Sequence, residues 1–339
     1  MFRREHKFKM KNISQSAFTK AALEIENRKS KALQTLELHK IEISQKAPEI
    51  NSLYNKVLQT SIELSKAIIS HSGDIDTIIN ELKEKNLESQ FKIKIMLKEF
   101  GYPEDYLKAK YTCPICNDSG YVNGNRCVCF NELIKKFTVD ELNESCKIEL
   151  HDFEEFNLNL YSNLPDEKSG IVPKERMNNI LIHCKDFVDT FSKHSSSLFF
   201  LGKTGLGKTF ISSMIAKSLI DKGFNVAFDS INNFLIKAEN DHFGRSSGNT
   251  VDTLLNADLV ILDDLGSEFS TPFNNATLYN IINSRINMDL PTIVSTNLSL
   301  SELEEKYDDR IISRLTGMYT PLRFFGTDIR QVKRRMMNK

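Results

Sequence analysis

A glycine-rich segment in the second half of the chain has the spacing of a phosphate-binding loop. It reads Gly-x-x-x-x-Gly-Lys-Thr, follows an apolar run at 198–201 and precedes a helical stretch at 210–220. Such glycines let backbone N–H groups point at a β-phosphate, and the following helix adds the partial positive charge of its N-terminus. The lysine then reaches the β- and γ-phosphates, and the threonine hydroxyl binds Mg²⁺. The expected nucleotide-binding residues are Gly202, Lys203, Thr204, Gly205, Leu206, Gly207, Lys208 and Thr209.

Two later apolar runs lead into polar side chains that would complete such a site. Residues 258–262 precede Asp263 and Asp264, and residues 291–297 end at Asn297. A carboxylate at the tip of a parallel strand beside the loop holds the magnesium shell, so we assign Asp263 to the metal and Asp264 to the attacking water. A helix cap or turn is the alternative for this pair, but the apolar run before it indicates a strand buried on both faces. The Asn297 amide is expected to bind the water or the γ-phosphate.

Four of the six cysteines crowd into one short segment. Cys113 and Cys116 form a Cys-x-x-Cys pair, and Cys127 and Cys129 form a Cys-x-Cys pair after two glycines that let the chain reverse. Four thiolates at about 2.3 Å close a tetrahedral shell, which is typical of structural zinc. An iron–sulfur cluster shares the all-cysteine shell, and His151 is a fallback ligand should Cys127 or Cys129 turn away. We predict zinc.

The hydrophobic pattern changes along the chain. Residues 14–110 show helical periodicity, with one stripe through Ile25, Leu33, Leu36 and Ile43, a proline at position 48 that begins a second helix, and a break at 72–74. From residue 153 onward, short apolar runs alternate with helical stretches, as in a parallel sheet with crossover helices. We therefore expect an α/β fold with a P-loop ATPase domain at 151–339, after a helical partner-binding region at 1–110 and a four-cysteine zinc module with its linker at 111–150. A module that only packs its own helices together is the alternative for the helical region.

Composition limits the class of protein. The chain has 339 residues, 40% hydrophobic and 27% charged, which indicates a globular protein of about two domains. Its 45 basic residues balance its 45 acidic ones, so any binding to nucleic acid needs local basic patches. No apolar run approaches the ~18 residues that span a bilayer, and none follows the basic N-terminus as a secretory signal requires. We expect a cytoplasmic protein without membrane contact.

Together these motifs resemble the AAA+ ATPases of the DnaC/DnaI-type replicative helicase loaders, to which the IstB-type transposition ATPases are related. The resemblance covers residues from about 151 to 335, and a cysteine cluster ahead of the ATPase resembles Gram-positive loaders. It implies an AAA+ domain without the usual helical lid, since little chain follows Asn297. The segments that carry it are the phosphate loop, Asp263-Asp-Leu-Gly-Ser-Glu268, Ser295-Thr-Asn297 and Arg310-Ile-Ile-Ser-Arg314-Leu.

The resemblance assigns further roles. Arg314 matches the arginine finger that a neighbouring subunit offers to the γ-phosphate. This role implies self-association through the ATPase domain. The alternative for Arg310 and Arg314 is an ion-paired helix face on the surface. Arg330 matches sensor 2. Many AAA+ enzymes carry glutamate where this chain has Asp264, a departure that bears on the rate of hydrolysis. The phosphate-loop lysine and threonine correspond to Walker A, the two aspartates to Walker B and Asn297 to sensor 1.

The loaders also suggest partners and cofactors. ATP, Mg²⁺ and Zn²⁺ are the implied cofactors, and a replicative DNA helicase and single-stranded DNA are the implied partners. The segment between a predicted strand at 226–229 and Asp258 faces the central channel in loaders. Lys237, Phe243 and Arg245 in this segment suit contacts to a DNA backbone and bases; an ordinary surface loop is the alternative. A segment like residues 153–161 closes over the adenine in related proteins.

The expected function is that of an ATPase that couples ATP binding and hydrolysis to the loading of the replicative helicase onto single-stranded DNA. Three alternatives remain. One is a transposase-helper ATPase of the IstB type, another a P-loop kinase of a small molecule, and the third a nucleotide-gated switch that scarcely hydrolyses ATP.

Overall fold

The computed structural model describes residues 15–70, 75–144, 146–166, 170–246 and 248–337. Contacts between residues divide the chain into two units, Ala22–Asn131 and the remainder. The predicted division at residues 110 and 150 stays a prediction, and the break expected at 72–74 lies outside the described residues. Among the described helices, none combines the length and the apolar character needed to cross a membrane.

The first unit is largely helical. Its helices are α1 (Gln15–Lys46), α2 (Pro48–Ser70) and α3 (Ile75–Glu99), and Pro48 begins α2 as expected, because the first N–H of a helix has no partner within it. The stripe predicted along α1 is confirmed at Ile25 and Ile43, which are buried, and wrong at Leu33, which is 42% exposed. The core of this unit contains Ile43, Ala47, Ile50, Ile93, Leu97 and Leu107.

A short hairpin follows between the two cysteine pairs. Strands β1 (Tyr121–Val122) and β2 (Asn125–Arg126) pair antiparallel, and α4 (Val128–Asn143) begins directly after them. The turn residues Asn123 and Gly124 both have positive φ, at 50° and 76°, as a two-residue turn of type I′ requires. The chain reversal expected at this glycine is therefore confirmed.

The second unit is an α/β domain built on five parallel strands, which lie in the order Val226–Ser230 (β4), Leu259–Leu265 (β5), Thr292–Thr296 (β6), Leu198–Leu201 (β3) and Thr320–Arg323 (β7). The expected fold class is confirmed, and the lack of a helical lid stays a prediction. After two 3₁₀ turns (Phe153–Glu155 and Leu158–Leu160), the elements are α5 (Pro173–Asp189), β3 (Leu198–Leu201), α6 (Lys208–Asp221), β4 (Val226–Ser230), α7 (Ile231–His242), α8 (Thr250–Asn256), β5 (Leu259–Leu265), α9 (Pro272–Asn287), β6 (Thr292–Thr296), α10 (Leu300–Lys306), α11 (Asp309–Met318), β7 (Thr320–Arg323) and α12 (Ile329–Met337).

Helices cover both faces of this sheet, which explains why its strands are apolar runs rather than alternating patterns. Phe199 packs on the face covered by α7, α8 and α9, and Phe200 packs on the face covered by α5 and α6. Both rings are almost completely buried, at 1% and 0% exposure. Because the strands are parallel, their carboxyl ends meet at one edge, where a ligand of an open α/β sheet binds.

Candidate functional site

The phosphate loop joins β3 to α6. Gly207 has φ of 95° and immediately precedes α6, in a left-handed conformation that glycine adopts without steric cost. A Cβ at Gly202 would lie 2.7 Å from the Phe324 carbonyl oxygen, so the loop is packed closely against the end of β7. The Lys208 ammonium donates to the carbonyl oxygens of Gly202 at 2.6 Å and Lys203 at 2.9 Å. Burial lowers the pKa of Lys208 from its usual value.

A hydroxyl and a carboxylate meet beside this loop. The Thr209 hydroxyl, in the first turn of α6, donates to one carboxylate oxygen of Asp263 at 2.7 Å, and the Ser295 hydroxyl donates to the other at 2.6 Å. Asp263 is only 5% exposed. Hydroxyl and carboxylate oxygens are hard ligands of the kind that Mg²⁺ prefers, so this pair fits a magnesium ion.

Asp264 lies next to this pair in an unusual backbone conformation. Its φ is 59°, in the left-handed region that few residues other than glycine adopt. Its N–H donates to the Ser295 hydroxyl at 2.9 Å, and the Asn297 side-chain amide donates to its carboxylate at 3.2 Å. Burial and the neighbouring charge of Asp263 raise the pKa of Asp264. Strand β5 continues through both aspartates to Leu265. The apolar run in the sequence suggested instead that the strand ends where the aspartates begin.

These groups share one cavity of about 750 Å³ at the carboxyl edge of the sheet. Its volume is in the range of small-molecule and cofactor sites. Arg330, at the start of α12, lines the same cavity, whereas Gly202, Lys203 and Leu206 are not among its lining residues. Of the predicted site residues, Thr204, Gly205, Gly207, Lys208, Thr209, Asp263, Asp264, Asn297 and Arg330 line it.

Aromatic side chains form the other end of the cavity. The Tyr161 hydroxyl donates to the Leu206 carbonyl at 3.0 Å, and its ring stacks on Phe156 with centroids 5.7 Å apart. His151 stacks on Phe210, with centroids 4.3 Å apart. Such flat apolar walls suit a nucleobase, and they include the segment expected to close over the adenine. His151 therefore lies in this cavity, and a fallback zinc ligand is not needed, because Cys127 and Cys129 converge with the other two cysteines.

Arg314 does not line the cavity of its own subunit. Its guanidinium donates to the Asn283 side chain at 2.8 Å and the Tyr279 hydroxyl at 3.0 Å, and it lies 4.8 Å from the centre of the Tyr279 ring. Arg310, one turn earlier on α11, pairs with Asp308 at 3.0 Å, and its side chain is 70% exposed. The two arginines thus differ: Arg314 is held in a fixed direction, and Arg310 is an ordinary surface ion pair.

The four cysteines converge as a metal site requires. Their sulfur atoms all lie within 4.8 Å of one another, with 3.9 Å between Cys113 and Cys127 and 3.5 Å between Cys116 and Cys129. Sulfurs bound at about 2.3 Å to one tetrahedral ion lie about 3.8 Å apart, so the arrangement fits zinc. The backbone amide of Cys116 lowers the pKa of the Cys113 thiol to about 7, which favours the thiolate that binds a metal.

Asp118 supports this cluster and was not identified from the sequence. Its carboxylate is completely buried and accepts hydrogen bonds from the backbone N–H groups of Thr112 at 2.7 Å and Cys113 at 2.8 Å. It thereby fixes the turn that presents the first cysteine pair. An aspartate directly after Cys-x-x-Cys-Asn is the sequence signal, since a short acidic side chain readily accepts from nearby backbone amides.

The three candidates for DNA contact are only partly brought together. The Lys237 ammonium donates to the Leu142 carbonyl at 2.8 Å and to the buried Asp229 carboxylate at 3.0 Å, so its charge is already paired. Phe243 is 57% exposed, and the Arg245 guanidinium lies 5.5 Å from the centre of its ring. The aromatic and the arginine therefore form one exposed pair, and the lysine lies apart from it.

Residues 181–316 match the family described as IstB-like ATP binding protein. The replicative helicase loader DnaC of Escherichia coli K12 is 26% identical over 145 residues, which are 42% of this chain and 58% of that protein. The replicative helicase loader DnaI of Bacillus subtilis is 24% identical over 163 residues, 44% of this chain and 52% of that protein. The chain thus spans little more than half the length of these relatives.

Among solved structures, the DnaC helicase loader is 24% identical and matches with a TM-score of 0.42, over 51% of this chain and 98% of that chain. The family match includes the phosphate loop, both aspartates, Asn297 and Arg314. Over residues 181–316 the chain therefore resembles IstB-like ATP-binding proteins, and it is similar in sequence to the DnaC/DnaI-type helicase loaders, as its motifs predicted.

Proposed function

We propose that this chain is a cytoplasmic ATPase that binds the replicative DNA helicase and single-stranded DNA and couples ATP binding and hydrolysis to helicase loading. The observation that carries the proposal is a cavity containing Lys208, Thr209, Asp263 and Asp264, combined with an Arg314 that does not line it and bonds to Asn283 instead. A site whose arginine finger is not among its own lining residues requires a second copy for full activity. The two relatives named as replicative helicase loaders support the choice of partner.

Each side chain has a distinct task in the proposed reaction. Bound MgATP supplies the electrophilic γ-phosphate. The loop amides and Lys208 bind the phosphates, and the Thr209 hydroxyl and Asp263 carboxylate hold the metal. Asp264 accepts hydrogen bonds from the attacking water and takes its proton, while Asn297 orients the Asp264 carboxylate, to which it already donates. Arg330 stabilises phosphate charge from the side of α12, and Arg314 of a neighbouring copy does so from outside.

The helical region at 1–110 and the cysteine module are proposed to bind the helicase. Exposed apolar side chains on α3 support this, because Leu87, Phe91 and Ile95 recur every four residues and are 65%, 64% and 43% exposed. Apolar groups at this spacing form one stripe along a helix, as partner-binding helices commonly present. For single-stranded DNA, the exposed pair of Phe243 and Arg245 offers stacking and a positive charge.

A transposase-helper ATPase is the second candidate, and the match to the IstB-like family favours it. Both candidates share every residue of the nucleotide site, so the partner distinguishes them.

Purified full-length protein should co-elute in gel filtration with the replicative helicase of its own cell when ATP is present. The double substitution Leu87→Asp and Phe91→Asp should abolish this complex. A complex with a transposase and none with the helicase would support the second candidate instead.

We predict a pH dependence of hydrolysis that Asp264 controls. The pKa of Asp264 is raised above the usual 3.8, and only its ionised carboxylate can accept a proton from water. Turnover at saturating MgATP should therefore rise with pH, and the pH of half-maximal turnover should lie above the pKa of an ordinary aspartate. Steady-state rates measured from pH ~4, near the pKa of an ordinary aspartate, to pH ~8 check this. Asp264→Asn should lose both this rise with pH and most of the turnover. A flat wild-type profile, or an unchanged rise with pH in Asp264→Asn, would contradict the assignment.

A further inference from the structure

The two aspartates lie in an irregularity of the sheet. On β5 and β6, Leu262 is opposite Val294 and Leu265 is opposite Thr296. Two residues of β5 therefore occupy the space that faces a single residue of β6, Ser295. Such a two-against-one arrangement is a β-bulge, which is rare between parallel strands and frequent beside active sites.

The bulge explains how neighbouring carboxylates serve the same cavity. Successive side chains of a regular strand point to opposite faces of the sheet. Asp263 and Asp264 instead both line the cavity, since the left-handed φ of 59° at Asp264 redirects its side chain. The same irregularity removes the Asp264 N–H from the regular ladder of backbone hydrogen bonds.

The Ser295 hydroxyl bonds both to the backbone N–H of Asp264, which the bulge removes from the ladder, and to the carboxylate of Asp263. Its Oγ accepts from the Asp264 N–H at 2.9 Å and donates to an Asp263 carboxylate oxygen at 2.6 Å. The side chain is 1% exposed, so water does not replace either bond. The neighbouring Thr296 hydroxyl differs, because it donates to the Leu265 backbone carbonyl at 2.7 Å and touches neither aspartate.

We propose that Ser295 is the positioning residue of the catalytic centre, which fixes the metal-binding carboxylate of Asp263 relative to the water-polarising carboxylate of Asp264. This inference rests on the proposed ATPase function. Ser295 lines the same cavity, and the two hydrogen bonds of its hydroxyl go to Asp263 and Asp264. It acts by orienting one oxygen of Asp263, which leaves the other for Thr209 and the metal, and by holding the backbone of Asp264 in the conformation that the bulge requires.

The test compares full-length Ser295→Ala, Ser295→Thr and Ser212→Ala with wild type. Ser212 is a matched control, because it is also fully buried in the ATPase domain but its hydroxyl has no hydrogen-bond partner among the described residues. Ser295→Ala should lower kcat by about 10- to 100-fold, as expected for a buried hydrogen bond that orients a catalytic group. Its affinity for ATP without divalent metal should stay within about threefold of wild type, because the phosphate loop is intact. Ser295→Thr, which keeps the hydroxyl, should recover most of the loss.

A second readout does not depend on turnover. Electron paramagnetic resonance of Mn²⁺ added to the ATP-bound protein should show metal affinity reduced about tenfold in Ser295→Ala and unchanged in Ser212→Ala. Equal kcat and equal Mn²⁺ affinity in the two alanine variants would overturn the inference. Should Ser295→Ala not fold, Ser295→Cys, with a weakly bonding thiol of similar size, replaces it with the same expectation. A wild type that neither binds nor hydrolyses ATP would instead refute the proposed function itself.

Discussion

Arg314→Ala should lower ATP turnover by about 10³- to 10⁵-fold at saturating ATP, the range found for an arginine that is supplied to a transferred phosphoryl group by a second subunit. The guanidinium is already aimed by Asn283 and Tyr279, so a neighbouring site receives it with little loss of side-chain entropy. ATP affinity measured at low protein concentration should hardly change, because Arg314 lies outside its own cavity. Arg310→Ala, which removes an exposed ion pair on the same helix, is the matched control and should stay near wild type.

Mixing two inactive variants tests whether the arginine acts between copies. Arg314→Ala retains the phosphate loop, and Lys208→Ala retains the arginine. An assembly that contains both therefore has some sites with an intact loop facing an intact Arg314, and turnover should partly return on mixing. No recovery, or a full rate in Arg314→Ala at every protein concentration, would contradict the assignment and favour a kinase-like or single-subunit site.

Removing the metal should unfold the segment around the cysteines while the sheet domain stays folded. Four thiolates bound to zinc contribute about 10–16 kcal/mol of apparent free energy, far more than the small core of a two-strand hairpin supplies. Chelation of the full-length protein should therefore expose residues 112–131 to proteolysis, at the hairpin turn of Asn123 and Gly124 first. Metal analysis of the untreated protein should give about one zinc per chain.

Cysteine variants provide the control for this prediction. Cys113→Ser should lose the metal and show the same proteolysis without chelator. Cys146→Ser should keep both the metal and the resistance, because the described cysteines form one cluster that does not include Cys146. Undiminished zinc in Cys113→Ser, or an untreated protein whose cluster holds iron and sulfide, would refute the assignment.

Much of the fold follows directly from the local sequence. Runs such as Leu198–Leu201 predict strands because a parallel strand covered on both faces is apolar throughout, and Pro48 marks a helix start because proline tolerates that position. The buried side of α1 is harder to predict, because helical periodicity shows which residues share one face of the helix but not which of them another element covers. Leu33 lies on the predicted face and is nevertheless exposed.

The site is predictable where a motif is contiguous and less so where contacts come from distant segments. The phosphate loop, the two aspartates and Asn297 lie at strand ends, so parallel topology alone brings them together. The bulge opposite Ser295 depends on register between β5 and β6, which no local pattern encodes. A serine in a fully buried strand is a signal, however, because a buried hydroxyl needs a partner. The stacking of His151 on Phe210 was not foreseen, because the two residues are distant in sequence.

The most direct test of this account is ATP binding by Lys208→Ala, measured by equilibrium titration of the full-length protein with a fluorescent ATP analogue. Lys217→Ala, on the exposed side of α6, is the control because its ammonium pairs with Asp152 and Asp221 instead. We predict that Lys208→Ala weakens ATP binding by at least about 100-fold, since charge-assisted hydrogen bonds to the phosphates are lost, while Lys217→Ala binds like wild type. Unchanged affinity in Lys208→Ala would show that the triphosphate does not bind in this loop.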